Sequence, residues 1–273
     1  SSEPLAILMT ADGTIMPPML EYFKRGIKTA EQRNAEVLVI QLNTPGGSVS
    51  VMSEMITAIG NSTVPVVIYV SPKDAQAASA GALITMAGHA SAMSPRTVIG
   101  AASPIDSSGA DIESTLEKKI KEDLKAKART LVERRGPDAI QLAEAMIDDA
   151  KAATAKESLD AKLIDFISDD TEDLLQSLNG FTVQMDSGSH TFNTADVRTQ
   201  DLNISFIEQL LLMLTDPNIA FLLLAIGVQG VLIEISSPGG WFAGFIGATC
   251  LTLAVYGMGV LTVNWFGGIF LII

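Results

Sequence analysis

The sequence predicts an α/β core followed by transmembrane α-helices, and three observations predict it. Short β-branched apolar runs alternate with segments of helical periodicity through the first two-thirds of the chain. Turn chemistry closes these runs, so the alternation reads as βαβ units of a parallel sheet. Charge keeps to the same part of the chain: all 18 Lys and Arg lie at or before Arg198, and beyond Asp216 only Glu234 is charged.

The elements follow in order. Residues 1–4 carry neither a methionine nor an apolar export segment, as in a chain matured by signal cleavage or one with an arbitrary boundary. Residues 5–10 read as the first strand. Pro17-Pro18 suits a helix start, and Met19, Leu20, Phe23, Ile27 and Ala30 mark that helix's inner face. A second strand at 37–42 leads to a helix starting near Ser48 that carries Val51, Met52, Met55, Ile56 and Ile59 on one side. The third strand, 64–70, is followed by Ala82, Leu83, Met86 and Ala87 at helical spacing. Short apolar segments at 90–93 and 97–101 add further turns of the coil. Residues 103–111 read as a loop, either a strap over a site or an ordinary surface connection. A long helix is expected over 112–135, another over 138–150, and at 154–165 a helix feeding a short strand. Residues 181–185 and 190–194, joined by Asp-Ser-Gly-Ser, read as a hairpin with His190 at its solvated tip. Residues 1–200 are expected to form one domain.

Residues 201–217 read as an amphipathic connector with Phe206, Leu210, Leu211 and Leu214 on one face, laid along a membrane surface or packed on the domain. Neither 218–233 nor 242–263 holds a charge. The second is long enough to span a bilayer, and the first becomes so if it begins near Leu211 or runs past Glu234. Trp241 and Trp265 stand near the ends of the second, where aromatic anchors concentrate. Residues 266–273 are still apolar, as in a third span cut short and a chain that is a fragment. The region 218–273 is therefore expected to cross a lipid bilayer about twice, the competing reading being a buried helical hairpin of a soluble protein. Residues 234–240 hold no Lys or Arg, so charge gives no orientation.

Several function classes are disfavoured. A net charge of −13 speaks against nucleic acid. Cys250 is the only cysteine, and His, Cys, Asp and Glu form no cluster at ligand spacing, so no metal is expected. Gly46-Gly47 lacks the ending of a phosphate loop, and no cofactor is expected.

Chemistry concentrates in two stretches. Ala77-Ala78-Ser79-Ala80-Gly81 sets a serine among small side chains where a strand gives way to a helix, whose orphan N–H groups and dipole favour a developing oxyanion. A plain N-capping serine would have the same sequence. Asn43-Thr44-Pro45-Gly46-Gly47-Ser48 follows the strand at 37–42 and exposes two glycine N–H groups. If strands 37–42 and 64–70 are parallel neighbours, both loops share the C-terminal sheet edge where such folds bind ligands. A Gly-Gly N–H and that of Ala80 then flank Ser79 Oγ as an oxyanion hole. His89 lies at the far end of the same helix, roughly 15 Å away, so a histidine base is disfavoured and lysine is the recurring alternative. Lysines crowd 117–127, most of them as a solvated face. Leu116, Ile120, Leu124, Ala128 and Leu131 form the stripe expected to face inward; Lys127 lies within its arc and Lys119 about 60° outside it.

The two motifs, about thirty residues apart, resemble the Clp-protease/crotonase superfamily, and the membrane tail resembles its NfeD branch, the stomatin operon partner proteins. The resemblance covers nearly the whole chain. It implies a Clp-protease/crotonase-like ββα-spiral core and a membrane-anchored serine endopeptidase with a Ser-Lys dyad. Ser79 is then the nucleophile, Lys119, ahead of Ile120, the general base with Lys127 as its rival, and Gly47 and Ala80, supported by Gly46, the oxyanion hole. The expected substrate is a protein or peptide with apolar segments, and the expected partner a stomatin or SPFH-type membrane protein. A multi-pass cell-membrane location, a protease domain outside the cytoplasm and a homo-oligomer of at least two chains complete the expectation. Glu122 stands where the family pattern has Asn, and a carboxylate there would hold the lysine protonated. An inactive membrane scaffold and a crotonase-like acyl-CoA enzyme are the alternatives.

Overall fold

A computed structural model describes residues 3–103, 114–236 and 240–257, which group into two units, Ser1–Ile204 and Ser205–Ile273. In chain order the first unit runs β1 (Leu5–Asp12), α1 (Pro17–Gln32), β2 (Val37–Asn43), α2 (Val49–Gly60), β3 (Val66–Val70), β4 (Gln76–Ala78), α3 (Ala80–Ala87), β5 (Ala90–Met93), β6 (Val98–Gly100), α4 (Ser114–Val132), α5 (Pro137–Asp148), β7 (Ala152–Thr154), α6 (Ala155–Asp160), β8 (Phe166–Ile167), α7 (Thr171–Leu178), β9 (Thr182–Met185), β10 (Gly188–Thr191) and β11 (Arg198–Asp201). The main sheet has the order β11-β1-β2-β3-β5-β8 and is parallel throughout. β4, β6 and β7 form a second sheet, and β9 and β10 a hairpin.

Both faces of the main sheet are covered, which is why its strands are nearly continuous apolar runs. Val37, Val39, Val67 and Tyr69 pack with Leu174, Leu175 and Leu178 of α7 and with Val183, Met185 and Phe192 of the hairpin region. The alternate residues, Leu38, Ile40, Val66 and Ile68, are fully buried on the opposite face. There α1 packs on β1 and β2, and α3 on β3. Gly26 lets α1 approach so closely that a Cβ would collide with Met9 Sδ.

Several elements differ from the sequence reading. β4 and β7 are three-residue strands, too short to carry a period. β11 is polar, and it pairs with β1 because Tyr22 Oη donates to Leu202 O (2.6 Å) and Arg25 to Asn203 O (2.8 Å), anchoring the chain just beyond it. α7 is capped by Asp170, whose side chain accepts the Asp173 N–H. The hairpin closes two residues earlier than expected, around Asp186-Ser187, with Gly188 at φ 119°. That puts His190 on β10, its Nε2 3.0 Å from Glu36 Oε1, and not at a solvated tip. Among the described residues the buried stripe of α4 is Leu124, Ala128 and Val132, whereas Leu116 is 51% exposed. Most of the loop expected at 103–111 lies outside the described residues, as does Ile112.

The second unit comprises α8 (Phe206–Leu214), α9 (Pro217–Ser236) and α10 (Phe242–Gly257). α9 is long and apolar enough to cross a membrane and is mostly unburied, unlike the core helix of a soluble hairpin. α10 is shorter, and the remainder of that expected span, Trp265 and the expected third span lie outside the described residues. α9 and α10 meet through glycines: a Cβ on Gly230 would stand 2.9 Å from Gly247 Cα, so only small residues permit this approach. Glu234 accepts the Trp241 N–H (3.0 Å) and the Gly244 N–H (3.2 Å), placing its charge on the positive end of α10.

The Arg135–Asp165 pair ties the turn after α4 to the residue before β8 through two bonds, 2.8 and 2.9 Å, with the arginine side chain only 6% exposed. Asp165→Ala strands that guanidinium and the Ser91 N–H that Asp165 also accepts. A loss of about 3 kcal/mol is expected, readable from the denaturant midpoint of the full chain in detergent.

Candidate active site

β2 and β3 are parallel neighbours, so the loops that follow them open at one sheet edge, as the sequence leads one to expect. Main-chain bonds then stitch the two loops together. The Thr44 N–H donates to Gln76 O (2.8 Å) and the Ala78 N–H to Thr44 O (3.0 Å). Asn43 Oδ1 accepts the Gln76 N–H (3.1 Å), and its Nδ2 donates to Asp12 Oδ1 (3.0 Å). Gly46 therefore lies directly against Ser79: a Cβ there would stand 2.6 Å from Ser79 Cβ and 3.2 Å from Oγ, and its φ of 108° is one only glycine adopts readily. Gly47 is pressed on Ile15, whose N–H donates to Gly46 O (2.8 Å) and whose carbonyl accepts the Ser48 N–H (2.9 Å).

Ser79 does not behave as an ordinary cap. N-caps sit in the β region and accept a helix N–H. Ser79 has φ 52° and ψ −117°, and its side chain makes no capping bond. Such a conformation costs on the order of 1–3 kcal/mol and persists only when neighbours enforce it. Here the Ser79 N–H is held by Gly100 O (2.9 Å) and its carbonyl by the Ala82 N–H (3.0 Å). Gly81 is small for a packing reason, since a Cβ would come 2.5 Å from Thr44 Cγ2.

The donors around Ser79 are not equivalent. Thr44, fully buried, accepts the Gly46 N–H on Oγ1 at 3.0 Å. The Gly47 N–H points away from Ile15 in a parallel bridge, and the Ala80 N–H opens α3 with no intrahelical acceptor. Among the described residues neither has a hydrogen-bond partner. Ser79, Gly46, Gly47 and Ala80 are thus brought together. Thr44 and Gly100, which hold them, carry no sequence signal beyond their place beside glycines and small residues.

The lysines present a different picture. α4 packs on α3, yet Lys119 is exposed and has no carboxylate partner among the described residues. Lys127, 42% exposed, pairs with Asp123 at 3.0 Å. Glu122 pairs with Lys125 at 2.6 Å. Glu122 and Asp148 together raise the Lys125 pKa.

His89 follows α3 and is 7% exposed; its Nδ1 accepts the Val66 N–H at 3.0 Å. Burial, and then the Arg134 charge, lower its pKa to about 4. It is a neutral structural histidine at the opposite end of α3 from Ser79.

The family model described as the NfeD1b N-terminal domain matches residues 8–187, and that of the NfeD integral membrane domain matches 218–273. The chain is 36% identical over 266 residues to the membrane-bound protease PH1510 of Pyrococcus horikoshii, covering 96% of this chain and 59% of that protein. It therefore spans little more than half the length of that relative. A lysine-to-alanine mutant of the 1510-N membrane-bound stomatin-specific protease in complex with a substrate peptide superposes with a TM-score of 0.73 at 31% identity, covering 79% of this chain and 100% of that one. A serine-to-alanine mutant of the same protease gives 0.70 at 32% identity, covering 75% and 100%. ClpP1 of Listeria monocytogenes, at 16% identity and a TM-score of 0.50 over 61% of this chain and 94% of its own, shares the fold.

The folded pKa of His89, about 4, lies below the unfolded value of 6.5, so the unfolded chain takes up this proton first. The contribution to stability is intact above pH 6.5 and is lost as pH falls toward 4, to a total of about 3 kcal/mol. Denaturation of the wild type between about pH 7 and pH 4.5 should lose most of this relative to His89→Gln, whose side chain does not titrate.

Proposed function

Because the chain belongs to the NfeD family, we propose that it is a membrane-anchored serine endopeptidase in which Ser79 and Lys119 act as a dyad. The observation that carries this reading is the posture of Ser79: a strained backbone, a hydroxyl spared from capping, and on the same sheet edge two N–H groups without a partner among the described residues. Ser79 Oγ attacks a peptide carbonyl while its proton passes to Lys119 Nζ. The Gly47 and Ala80 N–H groups hold the oxyanion, with Gly46 giving the close approach. Collapse sends the lysine's proton to the leaving amine, and water then releases the acyl-enzyme. In this reading residues 1–200 are the protease domain, 201–217 the connector and 218–273 a multi-span membrane region, with the protease domain outside the cytoplasm.

The solved variants of 1510-N support the assignment of the base. Along the sequence, the serine and lysine replaced there are separated by about as many residues as Ser79 and Lys119 or Lys121, and by fewer than Ser79 and Lys127. Lys119 becomes a base only in dry surroundings that favour its neutral form. Cover for the start of α4 therefore belongs to the mechanism, supplied by substrate or by a second copy in a homo-oligomer, and exposed Leu116 is the apolar surface it would bury. Apolar segments of a stomatin-type membrane protein suit such cover, and the relative's stomatin specificity supports that substrate class.

Ser79→Ala is expected to fold and to abolish cleavage of a stomatin-derived peptide by the full chain in detergent; undiminished cleavage excludes Ser79. Lys119→Ala should lose activity by about 10³-fold or more and Lys127→Ala only a few-fold. The wild-type rate should rise with pH through a single ionisation as the lysine loses its proton. A dead Lys127→Ala beside an active, folded Lys119→Ala would transfer the role of base.

A further inference from the structure

A cavity of about 540 Å³ opens at the far end of α3 from Ser79, between the turn after α4, the chain leading into β8, and β9. Cationic side chains stand in its polar wall. Arg134 gives Nη2 to the carbonyls of Gly88 (2.8 Å) and His89 (2.9 Å), and its charge has no carboxylate partner among the described residues. Lys162, exposed at the rim, has none either. His89 accepts on Nδ1, so its ring proton sits on Nε2, which has no acceptor among the described residues. Among the described residues β9 pairs only with β10, so the backbone N–H and C=O groups of Thr182 and Gln184 both face its other edge, donors and acceptors in equal number. The acid in the wall, Asp165, accepts from Arg135 and from the Ser91 N–H.

Two cations without a carboxylate partner among the described residues, with the His89 Nε2–H beside them, suit a dianion that accepts hydrogen bonds. Leu159, Ile164, Phe181 and Val183 line the rest of a space much larger than a bare ion needs. We propose that this cavity binds a phosphate monoester with an apolar body. Its phosphate oxygens lie between Arg134 and Lys162, and the body lies against the apolar wall. The site is independent of the Ser79 chemistry and stands whether or not the chain is a protease.

Calorimetric titration of the full chain in a non-ionic detergent with phenyl phosphate tests it. Saturable binding is expected, tighter than that of inorganic phosphate and weakened about tenfold or more by Arg134→Gln and by Lys162→Gln. Lys24→Gln, remote from the cavity, should leave it unchanged. Lys162 is exposed, so its variant keeps the fold even if loss of the Arg134 bonds does not. An imidazole pKa of His89 that rises on binding places the anion in this cavity. Tighter binding to nanodiscs containing phosphatidic acid than to phenyl phosphate assigns the group to a lipid headgroup, and the reverse order to a soluble compound. Binding that fails to saturate, or that Lys162→Gln leaves unchanged, overturns the proposal.

Discussion

Thr44 carries no charge and no reactive group, yet the geometry at the sheet edge depends on it. Its backbone continues β2 into a bridge with β4, its hydroxyl occupies the Gly46 N–H, and its methyl group fills the space that Gly81 vacates. Each contact removes a freedom that the two loops would otherwise keep. With Thr44 fully buried, the clasp is shielded from competing water, which makes a hydroxyl-to-backbone bond worth more than it would be on the surface. The strain at Ser79 is tolerable because bonds fixed on both sides leave that residue little alternative.

Electrostatics around α4 follow another logic. The helix is laced with short-range pairs, Glu117 with Lys121, Glu122 with Lys125 and Asp123 with Lys127, which neutralise most of its lysines locally. Such exposed pairs add little stability, but they decide which ammonium groups remain unengaged. Lys119 is outside this network among the described residues. A lysine without a counter-ion loses less on becoming neutral than one held by a carboxylate, so the pairing pattern bears on reactivity more than on folding.

In the second unit backbone geometry again sets the terms. Glycines on α9 and α10 allow main-chain contact where larger residues would separate the helices, and Glu234 spends its charge on the opening turn of α10. An otherwise costly carboxylate at the edge of an apolar segment is thereby satisfied without any basic partner.

Apolar periodicity was enough to give the parallel core, its principal strands and helices, and the shared edge of the two motif loops, because burial on both faces of a sheet leaves a mark on every residue of a strand. Residue type alone marked Ser79 and the glycines beside it, since few side chains fit so crowded a turn. β4, β7 and β11 escaped, being too short or too polar to show a period and held by pairing partners distant in sequence. The inward face of α4 was misjudged at its start for a related reason: Leu116 continues the apolar stripe in sequence, yet it is exposed, because burial depends on what packs there in space. Which glycine N–H remains free, which carboxylate holds which lysine, and that His190 meets Glu36 are matters of distance between segments far apart along the chain. The sequence determined what could be buried and where the chain could turn; the tertiary structure alone decided which polar groups find partners, because a hydrogen bond is satisfied by proximity in space and leaves no period in the chain.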